Sequence, residues 1–227
     1  MTENSNINID NYLDSHYIHR SNWLRAAVLG ANDGIISISS LAIGIATASS
    51  TREPIILATV AGLVAGALSM AAGEYVSVSS QTDIETADIE REKQELEEMP
   101  EEELTILAQI YERRGLTKET ARQVAIELTE HDALGAHVRD ELGITEISQA
   151  NPLQAALASG ASFLLGGVFP LLVTLFLPVK GMEYWLYGFT LVFLIILGSI
   201  SAYTGGSSPF KSIIRITIWG TIAMVLS

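Results

Sequence analysis

The chain has 227 residues, of which 48% are apolar, and it carries a formal net charge of −13 and no cysteine. Its mean hydropathy is +0.33, and its charge is concentrated in residues 83–141 between apolar blocks, which is typical of a membrane protein with one aqueous domain. The lack of cysteine excludes disulfides and thiolate metal ligands. The excess of carboxylates argues against a nucleic-acid partner and favours cations.

Hydropathy predicts an all-α integral membrane bundle of five transmembrane helices. Residues 1–19 are polar and are predicted to form a mobile tail, with no signal peptide apparent. A spanning helix needs about 20 mostly apolar residues. Segments that meet or approach this length are about 23–48, 54–80, 153–177, 182–203 and 209–226. We therefore assign the first two spans to residues 20–80 and the last three to residues 152–227.

Basic residues near the span ends predict the orientation. The side of the N-terminus has four of them and the opposite side has two, namely Arg20, Arg25, Lys211 and Arg215 against Arg52 and Lys180. This difference places the N-terminus and residues 81–151 in the cytoplasm.

The second span is predicted to continue as a helix into the acidic domain, residues 81–151. Eleven of the 21 residues from 83 to 103 are Asp or Glu, and Pro100 is the first helix breaker. One face of this helix joins both parts at spacings of three and four: Met70, Glu74, Ser77, Gln81, Glu85, Asp88, Glu92 and Glu95. A carboxylate within a span that leads into an acidic surface indicates a path for a cation.

Two further helices are predicted in the acidic domain. The first covers about 101–114. The second begins after Thr117, a suitable N-cap, and ends by Gly143, either unbroken or with a break near Gly135.

Asp33 lies about ten residues into the first span, where a charge costs at least ~2.5–3.5 kcal/mol. Such a residue usually faces a partner, a cavity or a substrate, although protonation or bonding to Ser37 would also accommodate it. Glu74 and Met70 share a face of the second span, and carboxylate with thioether suits a borderline ion such as Fe²⁺. Glu74 could also exchange a proton for the metal. Packing is the alternative role for Met70.

The acidic run has two interpretations, a solvated face or a metal site. The metal site is supported because Glu92 and Glu95 extend the face from the span, and because Pro100 folds Glu102 and Glu103 back toward them. Two pairs at i,i+4 spacing could share a metal or form ordinary surface pairs, namely Glu127–His131 and His137–Glu141. No nucleotide loop or nucleophile motif is present, so an enzyme is not expected.

Three stretches of sequence are distinctive: ANDGIIS (31–37), GALSMAAGEYVSVSSQTDIE (66–85) and AHVRDELGI (136–144). Together they resemble the vacuolar iron transporter family, in its bacterial, nodulin-like branch. The resemblance extends from Arg20 to the end of the chain. It implies a five-span homodimer in a bacterial cytoplasmic membrane that moves Fe²⁺, and often Mn²⁺, out of the cytosol in exchange for protons. The resemblance also implies that the path of the metal across the membrane lies at the dimer interface.

The resemblance also implies roles for individual residues. Asp33 and Met70 match the family's residues in the first two spans. In the acidic domain the matching glutamates are Glu92, Glu95, Glu102 or Glu103, and Glu141. The chain departs from the eukaryotic branch at Gly62, where that branch has a Glu that Glu74 would replace, and at His137, where it has a Met.

The residues together with the resemblance therefore predict a divalent transition-metal exporter without a prosthetic group, and the resemblance implies that it works by proton antiport. The predicted metal-binding residues are Asp33, Met70, Glu74, Glu92, Glu95, Glu102, Glu103 and Glu141. Two alternatives stay open: a membrane sensor or buffer that binds metal without transporting it, and a transporter of hard cations such as Mg²⁺ or Ca²⁺.

Overall fold

The computed structural model describes residues 21–144 and 151–226, which form seven α-helices and, within those ranges, no strand. The helices are α1 (Ser21–Ala48), α2 (Arg52–Glu98), α3 (Pro100–Arg113), α4 (Lys118–Asp140), α5 (Pro152–Phe176), α6 (Met182–Thr204) and α7 (Pro209–Leu226). The predicted tail, residues 1–19, lies outside the described residues.

Five of these helices, α1, α2, α5, α6 and α7, are long and apolar enough to cross a membrane. The prediction of an all-α protein with five potential spans is confirmed. Helix α2 has 47 residues and is therefore about 70 Å long. Since a hydrocarbon core is about 30 Å thick, only the apolar part of α2 can lie within it.

The described residues divide into two compact units, one within 1–75 and 152–227 and the other within 76–151. In the first unit, glycines allow α1 and α5 to approach closely. A Cβ at Gly34 would overlap the carbonyl oxygen of Phe163, and a Cβ at Gly166 would overlap that of Ala31. The guanidinium of Arg52 donates to the carbonyl oxygens of Leu175 and Leu177, which ties the start of α2 to the end of α5.

In the second unit, α3 and α4 pack through a small apolar core of Leu107, Ala108, Ala125 and Ala136. Thr117 caps α4 as predicted, with its hydroxyl accepting from the N–H of Thr120 at 3.3 Å.

Helix α4 is not continuous. Its regular geometry breaks at Asp132, where φ is −162° and ψ is 88°, near the Gly135 break that the sequence left open. The Asp132 carboxylate accepts from the N–H of Gly135 at 3.0 Å and so caps the segment that follows.

Candidate metal centre

Four side chains of the second unit converge on one point, and they come from three helices. Glu92 lies near the end of α2, Glu103 in the first turn of α3, and His137 and Glu141 at the end of α4. One ligand atom from each of the four lies within 4.8 Å of the other three. Ligands that share an ion at about 2.1–2.2 Å lie at most about 4.4 Å apart, so the group would close around a metal with small shifts.

The imidazole of His137 is at the middle of the group. Its Nδ1 lies 2.9 Å from Oε1 of Glu92, 2.9 Å from Oε2 of Glu141 and 3.7 Å from Oε2 of Glu103. A single N–H cannot point at all three oxygens, whereas a cation placed among them could contact every donor atom. The arrangement is therefore suited to holding a metal ion.

The group is largely buried, and this has an electrostatic cost. His137 is fully buried, Glu92 and Glu103 are each 3% exposed, and the Glu141 side chain is 31% exposed. Burial raises the pKa of Glu103, and the negative charge of Glu141 raises it further, while His137 lowers it. Buried carboxylates that repel each other are stabilised by a cation, and the exposed side of Glu141 gives an ion access.

Local sequence explains how these side chains reach the group. Pro100 cannot continue α2 but is well placed at the start of α3, so the chain turns there and directs Glu103 inward. His137 and Glu141 are four residues apart and therefore share a face. The N–H of Glu141 donates to the carbonyl of His137 at 2.8 Å, and Gly143, with φ of +69°, follows the end of the helix.

The structure brings together only part of the predicted acidic-domain set. Glu92, Glu103 and Glu141 belong to the group, while Glu95 and Glu102 do not, although both lie among the described residues. Glu102 is exposed and Glu95 is half-buried. His137 was not in the predicted set, and its i,i+4 spacing to Glu141 was the signal that could have included it.

A second feature is a cavity of about 300 Å³ in the first unit. It is lined by Asp33, Ser37, Ile38, Leu41, Gly62, Gly66, Ser69, Met70 and Phe163. The hydroxyl of Ser37 donates to Oδ1 of Asp33 at 2.5 Å. The cavity thus presents a carboxylate, a thioether and hydroxyls, which are donors that a borderline divalent ion accepts.

Glu74 is half-buried and lies about one helical turn beyond Met70 on α2. Among the described residues that line the cavity, Asp33 and Met70 are present and Glu74 is not.

The fold and these two features define a helical membrane protein that carries a candidate metal centre. A sequence model of the VIT family matches residues 24–227, and the chain belongs to this family. The predicted family is thereby confirmed, and the bacterial, nodulin-like branch stays a prediction.

Several relatives share most of the chain. A vacuolar iron transporter of Acanthamoeba castellanii is 44% identical over 206 residues, which cover 90% of this chain and 76% of the relative. Vacuolar iron transporter homolog 1 of Oryza sativa subsp. japonica is 35% identical over 213 residues, covering 93% and 74%. Vacuolar iron transporter homolog 2.1 of Arabidopsis thaliana is 34% identical over 212 residues, covering 93% and 81%.

Proposed function

We propose that this protein transports divalent transition metal, Fe²⁺ first and Mn²⁺ second, out of the cytosol in exchange for protons. Its N-terminus and its acidic domain face the cytosol, and it works as a homodimer. The observation that carries the proposal is the convergence of Glu92, Glu103, His137 and Glu141. Membership of the VIT family and the names of its relatives support iron as the substrate.

The metal centre would collect the ion from the cytosol. Three carboxylates supply hard oxygen ligands that Mg²⁺ and Ca²⁺ also accept. The imidazole of His137 adds a nitrogen, which favours borderline ions such as Fe²⁺.

Transfer across the membrane would use the cavity lined by Asp33 and Met70. The Asp33 carboxylate places a negative charge within an otherwise apolar span, and the Ser37 hydroxyl donates a hydrogen bond to one of its oxygens. Met70 supplies a soft donor to the same space. Glu74 would act beyond this cavity, where it exchanges a proton for the metal.

Proton exchange follows from ligand chemistry. Carboxylate and imidazole ligands bind metal in their deprotonated forms, so an arriving ion releases protons and an arriving proton releases the ion. A proton gradient can therefore drive metal across the membrane in the opposite direction.

Two other functions make different predictions. A sensor or buffer would bind metal at the acidic domain and carry no flux, so Asp33 would be dispensable. A hard-cation transporter would not use a thioether, so Met70→Leu would leave its flux unchanged.

The test is metal uptake by liposomes that contain the purified protein, with Fe²⁺ kept reduced, measured with and without a pH gradient. We expect flux that increases with the gradient and is lost in Asp33→Ala, while that variant keeps the wild-type oligomeric state and metal binding at the acidic domain. Flux that ignores the gradient would contradict proton exchange. Metal binding without flux would favour the sensor.

A further inference from the structure

The end of α4 is held by a polar network that is separate from the metal centre. The Asp140 carboxylate accepts from the hydroxyl of Tyr111 at 2.7 Å and from Nη1 of Arg114 at 2.7 Å. Arg139 donates to it at 3.1 Å, and Nη2 of Arg114 donates to the backbone oxygen of Asp140 at 3.4 Å. The Asp140 side chain is 7% exposed. The network therefore joins the last turn of α4 to the end of α3.

Tyr111 and Arg114 also contact each other. The Arg114 guanidinium lies 5.2 Å from the centre of the Tyr111 ring, so each of the two donors to Asp140 orients the other. With three donors on its two oxygens, Asp140 is occupied inside the protein and is not available to an ion.

The break at Asp132 separates the end of α4 from its first part. The segment that bears His137 and Glu141 begins after the break, with its own cap from Asp132 to Gly135. Its direction is not fixed by the first part of α4, because the regular helical geometry is interrupted. Ala136 packs in the apolar core at the middle of this segment, and Asp140 bonds to the end of α3 at its last turn.

We propose that Asp140 is a positioning residue for the metal centre. Held by Tyr111 and Arg114, it fixes the last turn of α4 and directs His137 and Glu141 toward the other two ligands. The inference rests on the proposed function, because it concerns the same metal-binding group. Loss of the network leaves every ligand present but less well placed, which lowers the affinity for the ion.

The test is Mn²⁺ titration of the full-length protein in detergent, well below its unfolding temperature. Binding elsewhere is measured with the double variant Glu92→Gln, Glu103→Gln and subtracted. Tyr111→Phe removes one hydroxyl without changing charge, and we expect it to weaken binding about threefold to tenfold, the value of one hydrogen bond.

Arg114→Gln tests whether the affinity for Mn²⁺ rises or falls. Removing a positive charge beside an acidic site would by itself tighten Mn²⁺ binding. Loss of positioning predicts weaker binding. Thr117→Ala is the matched control, because it removes a cap at the opposite end of α4 and lowers stability without touching the network.

The inference is supported if both network variants bind Mn²⁺ more weakly and Thr117→Ala binds it within about twofold of wild type. It is overturned if Tyr111→Phe keeps wild-type affinity, if Arg114→Gln binds more tightly, or if Thr117→Ala weakens binding equally. A wild type that binds no more Mn²⁺ than the Glu92→Gln, Glu103→Gln variant would overturn the proposed metal centre as well.

Discussion

Nδ1 of His137 and Oε1 of Glu92 lie 2.9 Å apart, and both side chains are almost completely buried. This contact joins the acidic end of α2 to the end of α4. The apolar core of this unit described above takes none of its members from α2, and Ile84 is 63% exposed. In the second unit, α2 is thus held by the same polar groups that form the candidate metal centre. Metal binding and local stability should therefore be linked.

Glu103 and Glu102 are adjacent in sequence, but Glu103 is buried and Glu102 is exposed, which makes them a matched pair. Glu103→Gln removes a buried member of the group, and we expect it to weaken Mn²⁺ binding at least about tenfold. Glu102→Gln changes an exposed carboxylate outside the group and should stay within about twofold. Titration of both variants in parallel checks this, and equal losses would indicate a diffuse charge effect without a defined site.

His137 should set the choice between borderline and hard ions. His137→Gln replaces nitrogen with an amide that retains an oxygen acceptor, so we expect at least about tenfold weaker binding of Fe²⁺, kept reduced, and little change for Mg²⁺. The ratio of the two affinities is the measurement. A ratio equal to that of wild type would exclude the imidazole as a ligand, and His131→Gln, at an exposed histidine, is the control.

Met70 should affect the transport of soft and borderline metal ions only. Met70→Leu keeps the size and apolar character of the side chain and removes the thioether sulfur from the cavity. We expect a lower rate of Fe²⁺ transport in liposomes with unchanged protein stability. Wild-type Fe²⁺ flux in this variant would leave Met70 with a packing role.

Glu103 contributes to the pH dependence of stability. Because burial raises the pKa of Glu103 above its ordinary value of 4.5, the folded metal-free state binds this proton more tightly than the unfolded state. The stabilising contribution of the protonated Glu103 carboxyl is present below pH 4.5, and it is lost as the pH rises through the raised pKa of Glu103. Hydrogen exchange in the second unit, measured against pH for wild type and Glu103→Gln, isolates it.

Excess Mn²⁺ should reverse this loss, because the ion binds the deprotonated carboxylate. A metal-free wild type that gains stability relative to Glu103→Gln over the same pH interval would contradict the expected sign.

Close approach of α1 and α5 should be sensitive to a single methyl group. Gly34→Ala would push a Cβ into the backbone of Phe163, and we expect it to destabilise the first unit by about 1–3 kcal/mol. Gly44→Ala, in the same helix, meets no heavy atom within 4 Å and should be neutral or slightly stabilising. Thermal unfolding of the two variants in the same detergent gives the comparison.

The helices of this protein could be predicted because the chemistry that defines them is local. Long apolar segments reveal the spans, Pro100 reveals the break between α2 and α3, and Thr117 reveals the start of α4. Asp33 stood out because a charge within an apolar segment is rare.

The candidate ligand set was less predictable because it depends on how helices are rotated about their axes. Whether Glu102 or Glu103 faces inward is decided by the turn at Pro100 and by the packing of Leu107. His131 and His137 each have a glutamate four residues away, yet the break at Asp132 lies between them and changes the helical phase. His137 is buried as a result, and His131 is exposed.

We propose that Glu92, Glu103, His137 and Glu141 together bind one divalent transition-metal ion. The most direct measurement is an anomalous difference map from crystals of the full-length protein grown with Mn²⁺. We predict a peak about 2.0–2.3 Å from Nδ1 of His137 and from an oxygen of each of the three glutamates. A map with metal only at Glu95, Glu102 or other exposed carboxylates, and none among these four side chains, would contradict it.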